Sequence, residues 1–152
     1  MRYQIIAAGR AGRGPEQALA ERYAARLHPP IVFREVEDRR PGPATQHRER
    51  EGEKLLAAVA EGARIVALDE RGRGLTSVEF ARVLGGWRDA GTAEVAFLIG
   101  GADGLSEAVR KRADLVLALG TLTWPHLLVR TLIAEQIYRA QSILDGHPYH
   151  RA

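Results

Sequence analysis

Residues 94–106 run Glu94-Val95-Ala96-Phe97-Leu98-Ile99 and then Gly100-Gly101-Ala102-Asp103-Gly104-Leu105-Ser106. An unbroken apolar run of this kind is the pattern of a strand covered on both faces, as strands of a parallel sheet are. Ser106 is an N-cap by type, and a short helix fits the residues from there to Arg112. A strand passing to a helix through a glycine loop is half of a β–α–β unit, so the stretch points to an α/β fold. Glycines placed directly after a strand also let a ligand approach the backbone, because no Cβ stands in the way.

The alternation continues in both directions. Toward the N-terminus, residues 64–69 (Arg-Ile-Val-Ala-Leu-Asp) predict a buried strand, and Thr76-Ser77-Val78-Glu79 predicts a capped helix ending near Arg88. Residues 2–8 form a first strand, residues 9–14 a glycine-rich loop, and a helix starts at Pro15 and runs to about Leu27 with Leu19, Tyr23 and Leu27 on one face. Pro29-Pro30 ends it, and residues 31–37 alternate as a strand with one wet side. The polar, arginine-rich residues 38–50 are expected to be loop, with a helix starting near Thr45 or Gln46 and burying Leu55, Leu56 and Val59. Toward the C-terminus, residues 114–119 give the last strand and residues 127–144 the longest helix. The expected class is a single α/β domain over residues 1–152, with a parallel sheet and helices on both faces.

Composition narrows the function. With 22 Lys+Arg against 19 Asp+Glu the formal charge is +3, and 45% hydrophobic with 27% charged residues excludes a disordered or fibrous chain. No apolar stretch approaches the roughly 18–20 residues that cross a bilayer, and residues 1–8 are too short for an export signal, so a cytoplasmic protein without membrane contact is expected. The chain has no cysteine, and its five histidines lack ligand spacing, so no metal site is expected. Lys54 and Lys111 are the only lysines. The arginine excess suits phosphate and stacked bases, although a GC-rich coding sequence would produce the same bias.

Three loops leaving strands draw attention, since ligands of open parallel sheets bind beyond the carboxyl ends of the strands. They begin at Leu68-Asp69, at Gly100 and at Gly120. The last, Gly120-Thr121-Leu122-Thr123-Trp124-Pro125-His126, is apolar for a loop and should pack on a flat heterocycle, a helix or a second subunit. His126 is either a helix N-terminal residue or a candidate site group. The loop Gly9-Arg10-Ala11-Gly12-Arg13-Gly14, followed by Glu35 and Glu37, inverts the dinucleotide fingerprint and leaves a nicotinamide site as a weak third option. The C-terminal His147-Pro148-Tyr149-His150-Arg151-Ala152 gathers stacking, proton-transfer and anion-binding groups where frayed ends are usually small and polar.

Taken together these segments resemble the RlmH family, small SPOUT-class methyltransferases. The resemblance rests on R-Y-Q-I-I-A-A-G from Arg2, K-L-L-A from Lys54, R-I-V-A-L-D from Arg64, F-L-I-G-G-A-D-G-L-S from Phe97, L-T-W-P-H-L-L-V-R-T-L-I-A-E-Q-I-Y-R-A from Leu122, and H-P-Y-H-R from His147. It spans the chain and implies a parallel-sheet SPOUT fold with a C-terminal trefoil knot, an exception to the rule against knotted chains. It further implies S-adenosylmethionine-dependent methylation of N3 of a pseudouridine in 23S ribosomal RNA on the ribosome. The implied cofactor contacts are Leu68, Gly101, Gly120, Thr121, Leu122, Thr123, Trp124 and Pro125. Two departures stand out: Ala102-Asp103 where relatives often carry Pro-Glu, and Leu127 where Pro or Gln is common.

Methyl transfer to N3 needs alignment and loss of the imide proton. The groups available are Tyr149, His150 and Arg151 in the tail with Arg130 and Arg139 on the last helix, His150 being expected near the proton and the arginines on phosphate or carbonyl oxygens. A homodimer is also expected. The last helix has apolar residues at 127, 128, 129, 132, 133, 137, 140, 143 and 144, a wide stripe that the resemblance places at a two-fold interface. The alternative from another class is a protein of the same fold that binds RNA or the ribosome without catalysis.

Overall fold

The computed structural model describes residues 1–151. Five strands, β1 (Arg2–Ala8), β2 (Val32–Val36), β3 (Arg64–Gly74), β4 (Glu94–Ile99) and β5 (Leu115–Ala118), form one all-parallel sheet in the order β2-β1-β4-β3-β5. The helices are α1 (Pro15–Ala24), α2 (Ala44–Ala57), α3 (Ser77–Asp89), α4 (Glu107–Arg112) and α5 (His126–Leu144). The period of two along the strands divides the core. Ile5, Val66 and Phe97 face α1, α3 and α5, while Ile6, Ala67 and Leu98 face α2 and α4. Fully burying a side chain such as Ile5, Phe97 or Leu98 contributes roughly 1.5–3 kcal/mol, so both layers hold the sheet.

Local signals act as anticipated at several boundaries. Pro15 stands in the first turn of α1, and Thr76 with Glu79 closes a reciprocal capping box on α3. Ser106 Oγ accepts from the Val109 amide to start α4. β2 is an edge strand with only partial burial, as its alternation implied.

Other elements differ from expectation. The expected loop from residue 38 ends at Pro43 rather than at Arg50: α2 starts at Ala44, one residue before its expected start, and Asp38 is buried against Arg40 and Arg50. Strand β3 is longer than its apolar run, because after Leu68 the chain bulges out and returns, so that Leu68 and Arg73 both face Leu117 of β5. Gly72 makes this possible, since a Cβ there would lie 2.6 Å from the Val116 carbonyl oxygen. The broad stripe on α5 is mostly internal. Ile133, Ala134, Ile137 and Ala140 fill the middle of one face between α1 and α3, and Leu128 is the helix's exposed large apolar side chain among the described residues. A core helix therefore explains the stripe without a second subunit.

β5 is the outer strand beside β3, whereas α5 lies beyond α3, against α1 and α3. Residues 119–125 must therefore cross the segment that leads from β3 to α3. This crossing brings three strand-end loops together at one end of the sheet.

Candidate active site

Where those loops meet lies a cleft of about 510 Å³, lined among others by Leu68, Asp69, Gly101, Asp103, Gly120 and Trp124. It is large enough for a nucleoside-sized ligand. The loop after β4 is compact because its glycines permit it. An added Cβ at Gly100 would lie 2.6 Å from the Gly104 carbonyl carbon, and Gly104 itself has φ +78°. At Gly101 a Cβ would come within 3.2 Å of the Glu51 carboxylate, which is buried behind the loop.

The loop after β5 is fixed from both ends. Gly120 has φ +99°, the Trp124 indole N–H donates to the Leu119 carbonyl at 3.0 Å, and the Thr123 hydroxyl donates to Glu70 at 3.2 Å across the crossing. Asp69 accepts from the Arg71 amide at 2.8 Å and meets Arg71 and Arg110. Desolvation opposes its charge, but Arg71 in particular outweighs that and holds the carboxyl below its usual range. The cleft thus has apolar walls in Leu68, Ile99, Leu117 and Val129, exposed backbone from the glycine loop, and both charge signs at its rim in Asp69, Asp103, Arg48 and Arg71. Such a donor set fits S-adenosylmethionine, which combines a flat adenine, a ribose diol and an amino-acid zwitterion.

Of the residues expected at a cofactor, Leu68, Gly101, Gly120, Leu122, Thr123 and Trp124 line the cleft, whereas Thr121 and Pro125 are outside its lining. His126 lines it as the first residue of α5. Sequence reasoning did not foresee Arg48 from α2 or Arg71 from the bulge of β3, since neither belongs to a motif.

The tail lies elsewhere. Tyr149 OH donates to Glu135 at 2.9 Å, Arg139 grips the same carboxylate through Nε and Nη2, and Arg139 Nη1 is 3.1 Å from His150 Nδ1. Tyr149 also stacks edge-on against Tyr138 at 4.7 Å and lies under the Arg139 guanidinium. Burial first, and then Glu135, push the Tyr149 hydroxyl well above its usual range, so it stays protonated. Because arginine has no acceptor, His150 Nδ1 must accept, and in the neutral ring Nε2 carries the hydrogen. The sequence did not single out Glu135, which organises this cluster; its i, i+4 spacing to Arg139 was the available signal.

Arg130 does not join the tail. It is 3% exposed, donates to Glu35 at 2.5 Å and to the Gly9 carbonyl at 3.0 Å, and so anchors the first turns of α5 to the ends of β1 and β2. Glu35 is used up in this way, also accepting from the Ala11 amide at 2.7 Å, which removes the acid that a nicotinamide ribose would need. Arg151 is exposed. The tail folds back onto the middle of α5 at Glu135 and Arg139, which at 1.5 Å per residue lie about 14–20 Å along the helix from His126 at the cleft.

A family described as "Predicted SPOUT methyltransferase" matches residues 1–150. The protein named ribosomal RNA large subunit methyltransferase H in Paramagnetospirillum magneticum is 59% identical over 151 residues, covering 99% of both chains. Its namesake in Rhodospirillum centenum is 57% identical over the full length of both. The chain belongs to the RlmH family of SPOUT methyltransferases. The fold likeness extends to a solved structure of a probable methyltransferase from Bordetella pertussis, at TM-score 0.58 and 16% identity, covering 91% of this chain and 95% of that one. Membership of the RlmH family gives the crossing at residues 119–125 its name, the trefoil knot of the SPOUT fold. Both RlmH departures lie beside the cleft. Ala102 and Asp103 line it, and Leu127, half-buried, follows His126.

Proposed function

We propose that the protein transfers a methyl group from S-adenosylmethionine to N3 of a pseudouridine in 23S ribosomal RNA, acting on the ribosome as a homodimer. The observation that carries this reading is the glycine-lined cleft at the crossing, walled by a loop so compact that a Cβ at Gly100 or Gly101 would meet Gly104 or Glu51. Its residues are Leu68, Gly101, Gly120, Leu122, Thr123 and Trp124, with Thr121 and Pro125 holding the loop's course. S-adenosylmethionine, when bound, supplies the methyl carbon and a neutral thioether leaving group.

The tail supplies the substrate side. As the N3–C bond forms and the S–C bond breaks, the N3 proton leaves and negative charge spreads onto the flanking carbonyl oxygens. His150 Nε2–H, oriented by Arg139, donates to one of them, which keeps His150 beside the leaving proton. Tyr149 is a neutral stacking and donor group, Arg151 meets phosphate, and the proton passes to water. Arg130 acts only by positioning α5.

The tail docks midway along α5, about 14–20 Å from the cleft at its first turn, which is farther than one base spans, so one subunit does not bring both to the same nucleotide. A second copy that places its tail over the first copy's cleft completes the site, and this separation, rather than the apolar stripe, supports the dimer. The test is incorporation of labelled methyl into ribosomes from a strain lacking this protein, with mapping of the modified base. Binding of ribosomes and S-adenosylmethionine without incorporation would leave an RNA-binding protein without catalysis.

A further inference from the structure

Residues 38–50 hold more arginine than the cofactor site or the tail uses. With Arg10 and Lys54 they build a shallow groove of about 600 Å³ at the carboxyl ends of β1 and β2, lined by four cations and two carboxylates. The two signs are not equally presented. The side chains of Asp38 and Glu37 are 1% and 38% exposed, whereas those of Arg40, Arg39 and Arg10 are 62%, 68% and 71% exposed. Asp38 accepts from Arg40 at 2.8 Å and from Arg50 at 2.6 Å, and Glu37 accepts from Arg10 and Arg39, each at 3.0 Å. Each carboxylate thus orients two guanidiniums, Asp38 from beneath and Glu37 from the side of the groove. Arg50 caps the Arg40 and Pro41 carbonyls and Lys54 the Glu37 carbonyl, which fixes the segment. Hydrogen-bonding edges of Arg10, Arg39 and Arg40 remain turned outward in a set direction. In an ordinary solvated ion-pair surface, acids and bases are exposed alike.

The groove lies at the same end of the sheet as the cleft. One helix spans both, since Arg48 lines the cleft and Arg50, two residues on, holds the groove. We infer that Arg10, Arg39 and Arg40 form a phosphate-gripping track for the ribosomal RNA strand that leads to and from the target nucleotide. The inference rests on the reading of the protein as a ribosomal RNA methyltransferase. A nucleotide held in the cleft must have a phosphodiester chain on either side, and preset guanidiniums suit it in bidentate contact. A net charge of only +3 over the chain gives little long-range attraction, so local contacts must supply the grip.

The test uses the full-length protein carrying Arg39→Ala with Arg40→Ala. Arg10–Glu37 and Arg50–Asp38 survive in it, and an unchanged melting temperature checks the fold. Co-sedimentation with unmethylated ribosomes across a salt series should show at least tenfold weaker binding than wild type. The log–log salt slope should be shallower by about 0.7–0.9 for each phosphate that the variant no longer neutralises. Affinity for S-adenosylmethionine and the maximal rate at saturating ribosomes should match wild type, and Arg39→Lys with Arg40→Lys should restore the salt slope but only part of the affinity, since lysine keeps the charge and loses the bidentate fork. Unchanged affinity and slope overturn the track. So does weakened binding to ribosomes with full binding to protein-free 23S RNA, because the partner would then be an acidic ribosomal protein. If wild type binds but transfers no methyl group, the enzymatic reading fails while the co-sedimentation still decides the track.

Discussion

Two neighbouring glycines in the loop after β4 face different obstacles, and this separates their expected effects. At Gly100 a methyl group meets the backbone of Gly104, which cannot move without opening the loop, so Gly100→Ala should weaken S-adenosylmethionine binding more than tenfold by calorimetry. At Gly101 the obstacle is the Glu51 carboxylate at 3.2 Å, a side chain that can be removed. Gly101→Ala should bind more weakly than wild type and recover when combined with Glu51→Ala, whereas Gly101→Val should lose binding. Glu51 also carries a cost of its own. One of its oxygens has no partner, and burial above all, with Asp103 and Asp38 nearby, raises its pKa. Between its unfolded value of about 4.3 and that raised value the native state binds more protons, so this residue's contribution to stability falls as pH rises through the window. Glu51→Gln should therefore melt a few degrees higher than wild type at pH 7, with the gain closing near pH 4. Equal melting temperatures at both pH values would contradict this account.

Among the elements, the returning bulge of β3 and the α5–tail unit matter most for the site. Gly72→Ala should force β3 and β5 apart, because its methyl group would press on the Val116 carbonyl, and the change should lower both melting temperature and cofactor affinity. Removing residues 147–152, or changing Tyr149, His150 and Arg151 to Ala, should leave cofactor affinity near wild type and abolish methyl transfer in single-turnover assays. Sequence periodicity captured β4 to the residue and α5 to within one, since long covered strands and helices declare themselves by pattern. It could not reveal the bulge, because Glu70-Arg71-Gly72-Arg73 has loop composition and pairs with β5 only through tertiary context. The start of α2 was legible to within one or two residues, but what holds its polar first half was not, since that is the Asp38 network rather than a long apolar stripe. The Gly100 and Gly120 loops were legible as site candidates because their composition is wrong for plain turns. Arg130 misled, since a cation near an expected anion site looks alike whether it meets substrate or Glu35.

For the whole molecule, the proposed dimer would make activity a property of paired subunits, because cleft and tail are separated in each. A subunit with Gly100→Ala retains its tail, and one lacking residues 147–152 retains its cleft. Each alone should be inactive, yet subunits mixed and allowed to exchange should recover about a quarter of wild-type turnover, because half the dimers then hold one complete site. Sedimentation of wild type as a monomer at micromolar concentration would remove the basis for that recovery. At the same scale, most of the long-range packing joins segments far apart in sequence, as where Tyr3 donates to Gln141 at 3.1 Å, so refolding should be slow for a chain of this size.

The central place of α5 has a consequence for biosynthesis. Ile133 and Ile137 fill the gap between α1 and α3, yet they are polymerised after all five strands and the other four helices. A nascent chain can lay down the sheet and four helices while the apolar floor of that gap, including Phe97 and Ile99, stays open to water. The closing act must wait until α5 has been polymerised and carried past the segment between β3 and α3, so the cleft at that crossing takes shape only after the sheet that supports it.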